Sequence, residues 1–236
     1  MRESNQAYLP RIEQAKLLPH AQAWQKLLLI GDLIDFDTIN CICDVGSRFG
    51  EQAIELATIF PQARVHAFEP VPENYHQCLA NQQAFEQPQI KFHNVALGER
   101  QALIPFYPVN NLGTEHNLGA SSRYRFIEGR NGQFLGKTWF QDEIHVPMRT
   151  LDSYALAVDF IWMDAQGSEL SVLEGSTTTL ESVKVIMTEV GIDSYYQGQS
   201  LQPEIDKFLT DRGFRELVLA RELCHAYEIN TIYIRV

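Results

Sequence analysis

The chain has 236 residues, of which 45% are hydrophobic, and its formal net charge is −11. This length supplies one sizeable core, and the composition excludes a disordered chain. The acidic balance and the lack of a lysine–arginine cluster argue against a nucleic-acid partner, because such a protein needs a basic surface to neutralise phosphates.

The N-terminal segment is predicted to be helical from about residue 9 to residue 33, with Pro19 dividing it into two helices. We interpret residues 1–36 as a helical cap and residues 37–236 as the main domain. The longest apolar run, residues 27–30, is far shorter than the roughly 20 residues needed to cross a bilayer. Residues 1–6 lack the basic and apolar regions of a secretory signal. We therefore expect a cytoplasmic protein with no membrane partner.

The cysteines do not indicate a metal centre or a disulfide framework. None of the four forms a Cys-x-x-Cys pair, and Cys41 and Cys43 fall on one face of a predicted buried strand. Both are expected to act as small core residues.

The most informative segment runs from residue 41 to residue 50. An apolar strand ends in Asp44, and a glycine pair then opens a helix predicted over residues 51–60. Strand, tight turn and helix in this order present backbone N–H groups to a nucleotide-like cofactor. The candidate cofactor-binding residues here are Asp44, Gly46, Ser47, Arg48 and Gly50.

The next strand, predicted over residues 64–68, leads into Glu69 and Pro70. An acid at this distance from the glycine turn can accept hydrogen bonds from both hydroxyls of a ribose. A third short strand ends near Asn94, and the small Ala96 after it leaves room for an adenine ring. A plain turn explains Asn94 and Ala96 equally well.

The chemistry of the first turn separates two cofactors. Arg48 stands where a dinucleotide fingerprint has its middle glycine, and Asp44 would repel a phosphate. A carboxylate before the turn suits a cationic group, such as the amino end of a methionine moiety. The turn therefore favours S-adenosylmethionine over a nicotinamide dinucleotide. A nicotinamide-dependent oxidoreductase and a turn without a ligand are the alternatives.

The middle of the chain is predicted to be irregular, with an insertion near residues 109–143 between two strands. Loops of this length in a compact domain are usually functional or mobile. His116 within it is a candidate general base, because the ordinary pKa of histidine lies near neutrality. A solvated loop histidine is the alternative interpretation.

Two acidic residues follow later strands. Asp164 ends a strand predicted over residues 158–163, and Glu189 ends one predicted over residues 183–188. Open α/β sheets bind ligands at this edge. The pair is therefore a candidate general base, together with His116, and a candidate site for a divalent cation such as Mg²⁺. Asp164 is also a candidate cofactor contact. Each acid could instead cap a neighbouring helix.

Strands alternating with helices predict a mostly parallel sheet covered by helices on both faces. The last two predicted strands, residues 216–220 and 230–236, are too close for a crossover helix and should pair antiparallel. A seven-stranded sheet with a reversed last strand resembles the Rossmann-like class I methyltransferase fold, and this inference rests on resemblance between folds.

Five blocks of the sequence, in order, resemble the FkbM family of methyltransferases. The blocks are Asp44-Val45-Gly46 with Gly50, Ala67-Phe68-Glu69-Pro70, Val95-Ala96-Leu97-Gly98, Thr150-Leu151-Asp152 and Met163-Asp164-Ala165-Gln166-Gly167-Ser168-Glu169-Leu170. The resemblance implies S-adenosylmethionine-dependent O-methylation of a small-molecule hydroxyl, on a saccharide or a secondary metabolite.

The chain departs from this family at two places. Ser47-Arg48 stands where the family usually has Ala-Asn, and Gln166 stands where it usually has glutamate. A non-catalytic methyltransferase-like binding module is therefore a further alternative. No feature of the sequence indicates an oligomeric state.

Overall fold

The structure is a computed structural model that describes residues 6–110, 118–130, 139–225 and 227–236. The helices are α1 (Leu9–Ala15), α2 (Ala23–Ile30), α3 (Glu51–Ile59), α4 (Pro72–Ala84), α5 (Glu169–Glu174) and α6 (Gln202–Thr210). The strands are β1 (Cys41–Val45), β2 (Arg64–Phe68), β3 (Ile90–His93), β4 (Ala96–Leu97), β5 (Ala102–Phe106), β6 (Ile144–Arg149), β7 (Phe160–Met163), β8 (Val185–Gly191), β9 (Phe214–Glu216), β10 (Glu222–His225) and β11 (Glu228–Arg235).

In the described ranges the main sheet has eight strands in the order β10-β11-β8-β7-β1-β2-β3, with β9 also pairing with β11. The strands from β3 to β8 in this order are parallel, and β11 is antiparallel to β8. The predicted fold class, a mostly parallel sheet with a reversed last strand, is confirmed.

The predicted strand at residues 216–220 is wrong in its bounds. β9 ends at Glu216, a 3₁₀ turn covers Val218–Ala220, and β10 begins only at Glu222. Residues three apart face the same side of a 3₁₀ turn, so Leu217 and Ala220 can both pack against the core. A continuous strand would place them on opposite faces. The strand expected before β11 is therefore divided into two short ones.

Alternate residues of the parallel strands serve two cores, one on each face of the sheet. Ile42 belongs to the core under α1, α2, α3 and α4, whereas Cys43 belongs to the core under α5 and α6. This alternation is the period of two that strands impose. The helices therefore cover both faces, as the sequence predicted.

The N-terminal helices lie on α3 and share its core through Ile12 and Leu27. The turn at residues 16–22 separates α1 from α2, near Pro19 as predicted. The domain boundary at residue 36 stays a prediction. None of the described helices combines the length and the apolar character required to cross a bilayer.

The described parts of the insertion are held by aromatic packing. Phe126 forms an isolated bridge with Tyr196 and packs against Tyr195, both in the segment after β8. Ser122 bridges to Tyr107, directly after β5. These described parts are thereby held over the carboxyl edge of the main sheet, where the hydroxyl of Ser122 donates to the carbonyl of Gln166.

Candidate active site

A cavity of about 620 Å³ opens at the carboxyl ends of β1, β2, β7 and β8. The strand register aligns four residues across this edge, because Val45 pairs with both Phe68 and Met163, and Met163 pairs with Thr188. The residue after each of these four lines the cavity, and the resulting row is Gly46, Glu69, Asp164 and Glu189. The sequence predicted all four.

The other candidate residues divide into two groups. Those that also line the cavity are Asp44, Arg48, Pro70 and Ala96. Those that do not line it but contact residues of the turn and of the strand ends are Ser47, Gly50 and Asn94. His116 lies outside the described residues, so its role stays a prediction.

Gly46 allows the turn after β1 to pass the end of β7. Its φ is +86°, and a Cβ atom on it would lie 1.9 Å from the carbonyl oxygen of Asp164. The N–H groups of Gly46 and Ser47 donate to the carbonyl of Phe68 at 3.0 and 3.1 Å. Glycine is therefore required here by both the backbone conformation and the close approach.

Arg48 and Gly50 complete the turn in different ways. Arg48 adopts a φ of +50°, and its guanidinium pairs with Glu51 at 2.7 Å. Gly50, with a φ of +82°, packs on the ring of Phe92, where a Cβ atom would lie 2.7 Å from the ring edge. Gly50 therefore serves packing and does not line the cavity.

Glu69 is almost fully buried and binds the turn from the neighbouring strand. Its carboxylate accepts the N–H groups of Arg48 at 2.8 Å and Val71 at 2.9 Å, and the amide of Asn74 at 3.3 Å. Burial raises the pKa of Glu69 to about 8, although these hydrogen bonds oppose the rise. Asn94 in turn donates to the carbonyl of Glu69 at 2.9 Å.

Asp44 is buried beside the turn, with 1% of its surface exposed. The hydroxyl of Ser47 donates to its carboxylate at 2.6 Å. Burial raises the pKa of Asp44 to about 7, and the nearby carboxylates of Glu51 and Asp164 add to the rise. Ser47 therefore acts on the cavity through Asp44.

Gln166 joins the carboxylates of Asp164, directly after β7, and Glu189, which lies inside β8 and not at its end as predicted. Its Nε2 donates to Asp164 at 2.5 Å and to Glu189 at 3.1 Å, and its Oε1 lies 2.6 Å from the hydroxyl of Tyr196. Burial raises the pKa of Asp164 to about 6, while the Gln166 hydrogen bond opposes the rise. The sequence did not reveal this link, because Tyr196 reaches Gln166 only in the folded chain.

This arrangement does not support the predicted Mg²⁺ site at Asp164 and Glu189. The amide hydrogens of Gln166 point at the carboxylate oxygens that a cation would need. Within the described ranges, no three His, Cys, Asp or Glu side chains form a group that could hold a metal ion.

Glu169, and not Asp164, accepts the backbone N–H groups before α5. The alternative interpretation of Asp164 as a helix cap is therefore not supported. Glu169 is buried, and its Oε1 accepts the N–H groups of Ala165 at 3.0 Å and Gly167 at 3.2 Å. It stabilises the loop between β7 and α5 and so leaves Asp164 facing the cavity. An acid in the first helical turn was the sequence signal for this role.

Sequence reasoning also missed the far half of the cavity. This half is lined by residues from around α2 and from the C-terminal strands, namely His20, Gln22, Gln25, Lys26, Glu222, Leu223, Asn230 and Thr231. No local motif marks these residues, because they come from the two ends of the chain.

The sheet order and its helices define a Rossmann-like methyltransferase fold. The solved structures with this fold include the following two. Precorrin-6y C5,15-methyltransferase from Geobacter metallireducens GS-15 has a TM-score of 0.50 and 12% identity, with 93% of this chain and 92% of that chain covered. Magnesium protoporphyrin IX methyltransferase from Synechocystis PCC 6803 has a TM-score of 0.51 and 12% identity, with 98% and 80% covered.

The sequence comparison is more specific than the fold. The model of the methyltransferase FkbM domain matches residues 44–216, so the chain belongs to this family. The resemblance drawn from the sequence blocks is thereby confirmed.

A curated relative is the 2-O-methyltransferase NoeI of Sinorhizobium fredii (strain NBRC 101917 / NGR234), which is 29% identical over 165 residues. The match covers 67% of this chain and spans 66% of that protein, just under two thirds of its length.

Proposed function

We propose that the protein transfers a methyl group from S-adenosylmethionine to a hydroxyl oxygen of a small molecule, a saccharide or a secondary metabolite. The observation that carries the proposal is the level row of Gly46, Glu69, Asp164 and Glu189 at the cavity. Membership of the methyltransferase FkbM family supports methyl transfer, and the name of NoeI, a 2-O-methyltransferase, supports oxygen as the acceptor atom.

The charge of the cavity favours this cofactor. Among the described residues that line it, six carry carboxyl groups and two carry permanent positive charges, Lys26 and Arg48. Arg48 is paired with Glu51 and Lys26 with Glu222. A ligand with a sulfonium and an ammonium group suits such a surface, whereas the pyrophosphate of a nicotinamide dinucleotide would be repelled. The oxidoreductase alternative therefore has no support.

The residues present fit the cofactor. Asp44 and the turn at Gly46 would hold its methionine end, Glu69 would accept its ribose hydroxyls, and Pro70 and Ala96 would lie beside its adenine. Glu69 is already fixed by two backbone N–H groups, so its carboxylate is held in place before a ligand binds.

Asp164 is the proposed general base. When bound, S-adenosylmethionine supplies an electrophilic methyl group, and the acceptor hydroxyl must lose its proton as the new bond forms. Burial makes the Asp164 carboxylate more basic than an ordinary aspartate, yet leaves it ionised above about pH 6. Gln166 orients Asp164 and Glu189 together. Gln166 thus has a defined place in the site, and its departure from the family pattern does not indicate lost catalysis.

Calorimetric titration with S-adenosylhomocysteine tests the cofactor assignment. Glu69→Gln should weaken binding at least about tenfold, because one charge-assisted hydrogen-bond acceptor is lost. Glu73→Gln, at the exposed start of α4, is the matched control and should bind as the native protein does. A folded native protein that binds NADH but not S-adenosylhomocysteine would overturn the proposal.

A further inference from the structure

The far half of the cavity is lined by an ion pair between residues from the two ends of the chain. The ammonium of Lys26, on α2, contacts the carboxylate of Glu222, at the start of β10. The Lys26 side chain is 11% exposed, and that of Glu222 is 56% exposed. The pair therefore presents a shielded donor and an accessible acceptor to the same space.

A row of polar side chains connects this pair with the proposed base. Glu189 pairs with Asn230 across β8 and β11, and Asn230 pairs with Glu222 across β11 and β10. The residues directly before Asp164 and Glu189 are also register partners. Residues level in register share a face of the sheet, and strands lie about 4.8 Å apart. Glu222 is thus three strands, or roughly 14 Å, from Asp164.

The chemistry of this half suits hydroxyl groups. Gln22, Gln25 and Asn230 add amides to the ion pair, and Leu223 is the apolar exception among the described lining residues of this half. Such groups donate and accept hydrogen bonds without imposing a net charge. The carboxyl groups deeper in the cavity outnumber its cations, so an acceptor with phosphate, sulfate or carboxylate groups would be repelled.

We infer that this half of the cavity is the acceptor subsite and that it takes an uncharged, polyhydroxylated acceptor, a neutral oligosaccharide or glycoside. Lys26 donates to, and Glu222 accepts from, hydroxyl groups remote from the one that faces Asp164. The inference rests on the proposed function and narrows its acceptor from two classes to one.

A glycan array tests the inference with the full chain loaded with S-adenosylhomocysteine. We expect retention on uncharged oligosaccharides and none on their sulfated, phosphorylated or sialylated counterparts. Lys26→Met keeps the length of the stem and removes the charge, and Glu222→Gln is a second, more exposed variant. Each should weaken retention about ten- to hundredfold, the range for a lost hydrogen bond to a charged group. Lys16→Met, an N-terminal lysine that pairs with Glu13 outside the cavity, should bind as the native protein does.

Steady-state kinetics on the best retained glycan separates a role of Lys26 in binding the acceptor from a general role in folding. Lys26→Met should raise the KM for the acceptor by the same ten- to hundredfold, whereas kcat and the affinity for S-adenosylhomocysteine should change less than threefold. Preference for anionic glycans, retention of none, or equal behaviour of Lys26→Met and Lys16→Met would overturn the inference. If the folded native protein does not bind S-adenosylhomocysteine, that result would instead overturn the proposed function.

Discussion

The carboxylate of Glu55, on α3, accepts a hydrogen bond of 2.8 Å from the backbone N–H of Trp24 at the start of α2. It also accepts the N–H groups of Gln22 and Ala23 at 2.8 and 2.9 Å. The side chain of Gln22, the residue at the N-cap of α2, makes no capping hydrogen bond. Glu55 lies on α3, which begins directly after the turn at residues 46–50, and Lys26 lies on α2. The hydrogen bonds of Glu55 therefore link the position of Lys26 to that turn.

Replacing Glu55 with alanine should lower the free energy of unfolding by about 1–3 kcal/mol, since three helix-start N–H groups lose their acceptor. Urea denaturation measures the loss. Glu13→Ala is the control, because Glu13 forms an exposed pair with Lys16 and should cost less than about 0.5 kcal/mol. Equal losses in the two variants would show that Glu55 is not the cap.

Gly46→Ala should lower the free energy of unfolding far more than Gly198→Ala does. Both glycines have φ near +85°, but a Cβ atom would lie 1.9 Å from a backbone oxygen at Gly46 and 3.6 Å from a ring carbon of Tyr124 at Gly198. We expect about 1–2 kcal/mol of strain at Gly198 and about 3–5 kcal/mol at Gly46, where overpacking is added. Urea denaturation compares the two, and similar losses would contradict the close approach at Gly46.

Binding of S-adenosylmethionine should strengthen from pH 6 to pH 8. The pKa of Asp44 is raised to about 7 and that of Glu69 to about 8, so both acids hold protons in the ligand-free protein at lower pH. A cationic ligand favours their ionised forms, so binding should release protons, with up to about tenfold in affinity per pH unit for each group titrated.

Calorimetry in two buffers of different ionisation enthalpy measures this proton release. S-adenosylhomocysteine, which lacks the sulfonium charge, is the matched ligand and should show a weaker pH dependence. The same raised pKa values mean that the contribution of Asp44 and Glu69 to the stability of the ligand-free fold is fully present below about pH 4 and is lost as the pH rises through 7 and 8. Affinity for S-adenosylmethionine that falls with rising pH would contradict the assignment.

Asp164→Asn should lower kcat about 10²- to 10⁴-fold, the usual contribution of a general base, while the affinity for S-adenosylhomocysteine stays within a few fold. Glu189→Gln is the comparison, because both acids bind Gln166 and line the cavity. Methyl transfer from radiolabelled S-adenosylmethionine measures the rates. A larger loss in Glu189→Gln would reassign the base.

Gln166→Glu should create a site for a divalent cation. The change replaces the amide donor between Asp164 and Glu189 with a third carboxylate. In EDTA at pH 7 the variant should lose about 1–3 kcal/mol of stability through repulsion and lost hydrogen bonds, and Mg²⁺ should restore it. Thermal unfolding with and without Mg²⁺ measures both effects. Gln101→Glu, on the exposed surface before β5, is the control. A native protein that Mg²⁺ stabilises equally would contradict the role given to Gln166.

The strands and the cofactor turn could be predicted because their signals are local. β2 occupies the predicted residues, and α3 begins at the predicted Glu51. Glu69, Asp164 and Glu189 could also be placed near one another, since the carboxyl ends of parallel strands meet at one edge. The division of the strand at residues 214–225 could not be predicted, because it depends on the packing of Leu217 and Ala220 against core residues that are remote in sequence.

The sequence by itself determined the class of fold, the family and the acidic character of the turn after β1, since each is written in short blocks or periodic segments that can be recognised one by one along the chain. Only the tertiary structure decided that Tyr196 holds Gln166 between two carboxylates and that Lys26 meets Glu222 across the cavity. These contacts join residues from separate elements. Their partners are chosen by strand register and helix packing, which no local pattern encodes.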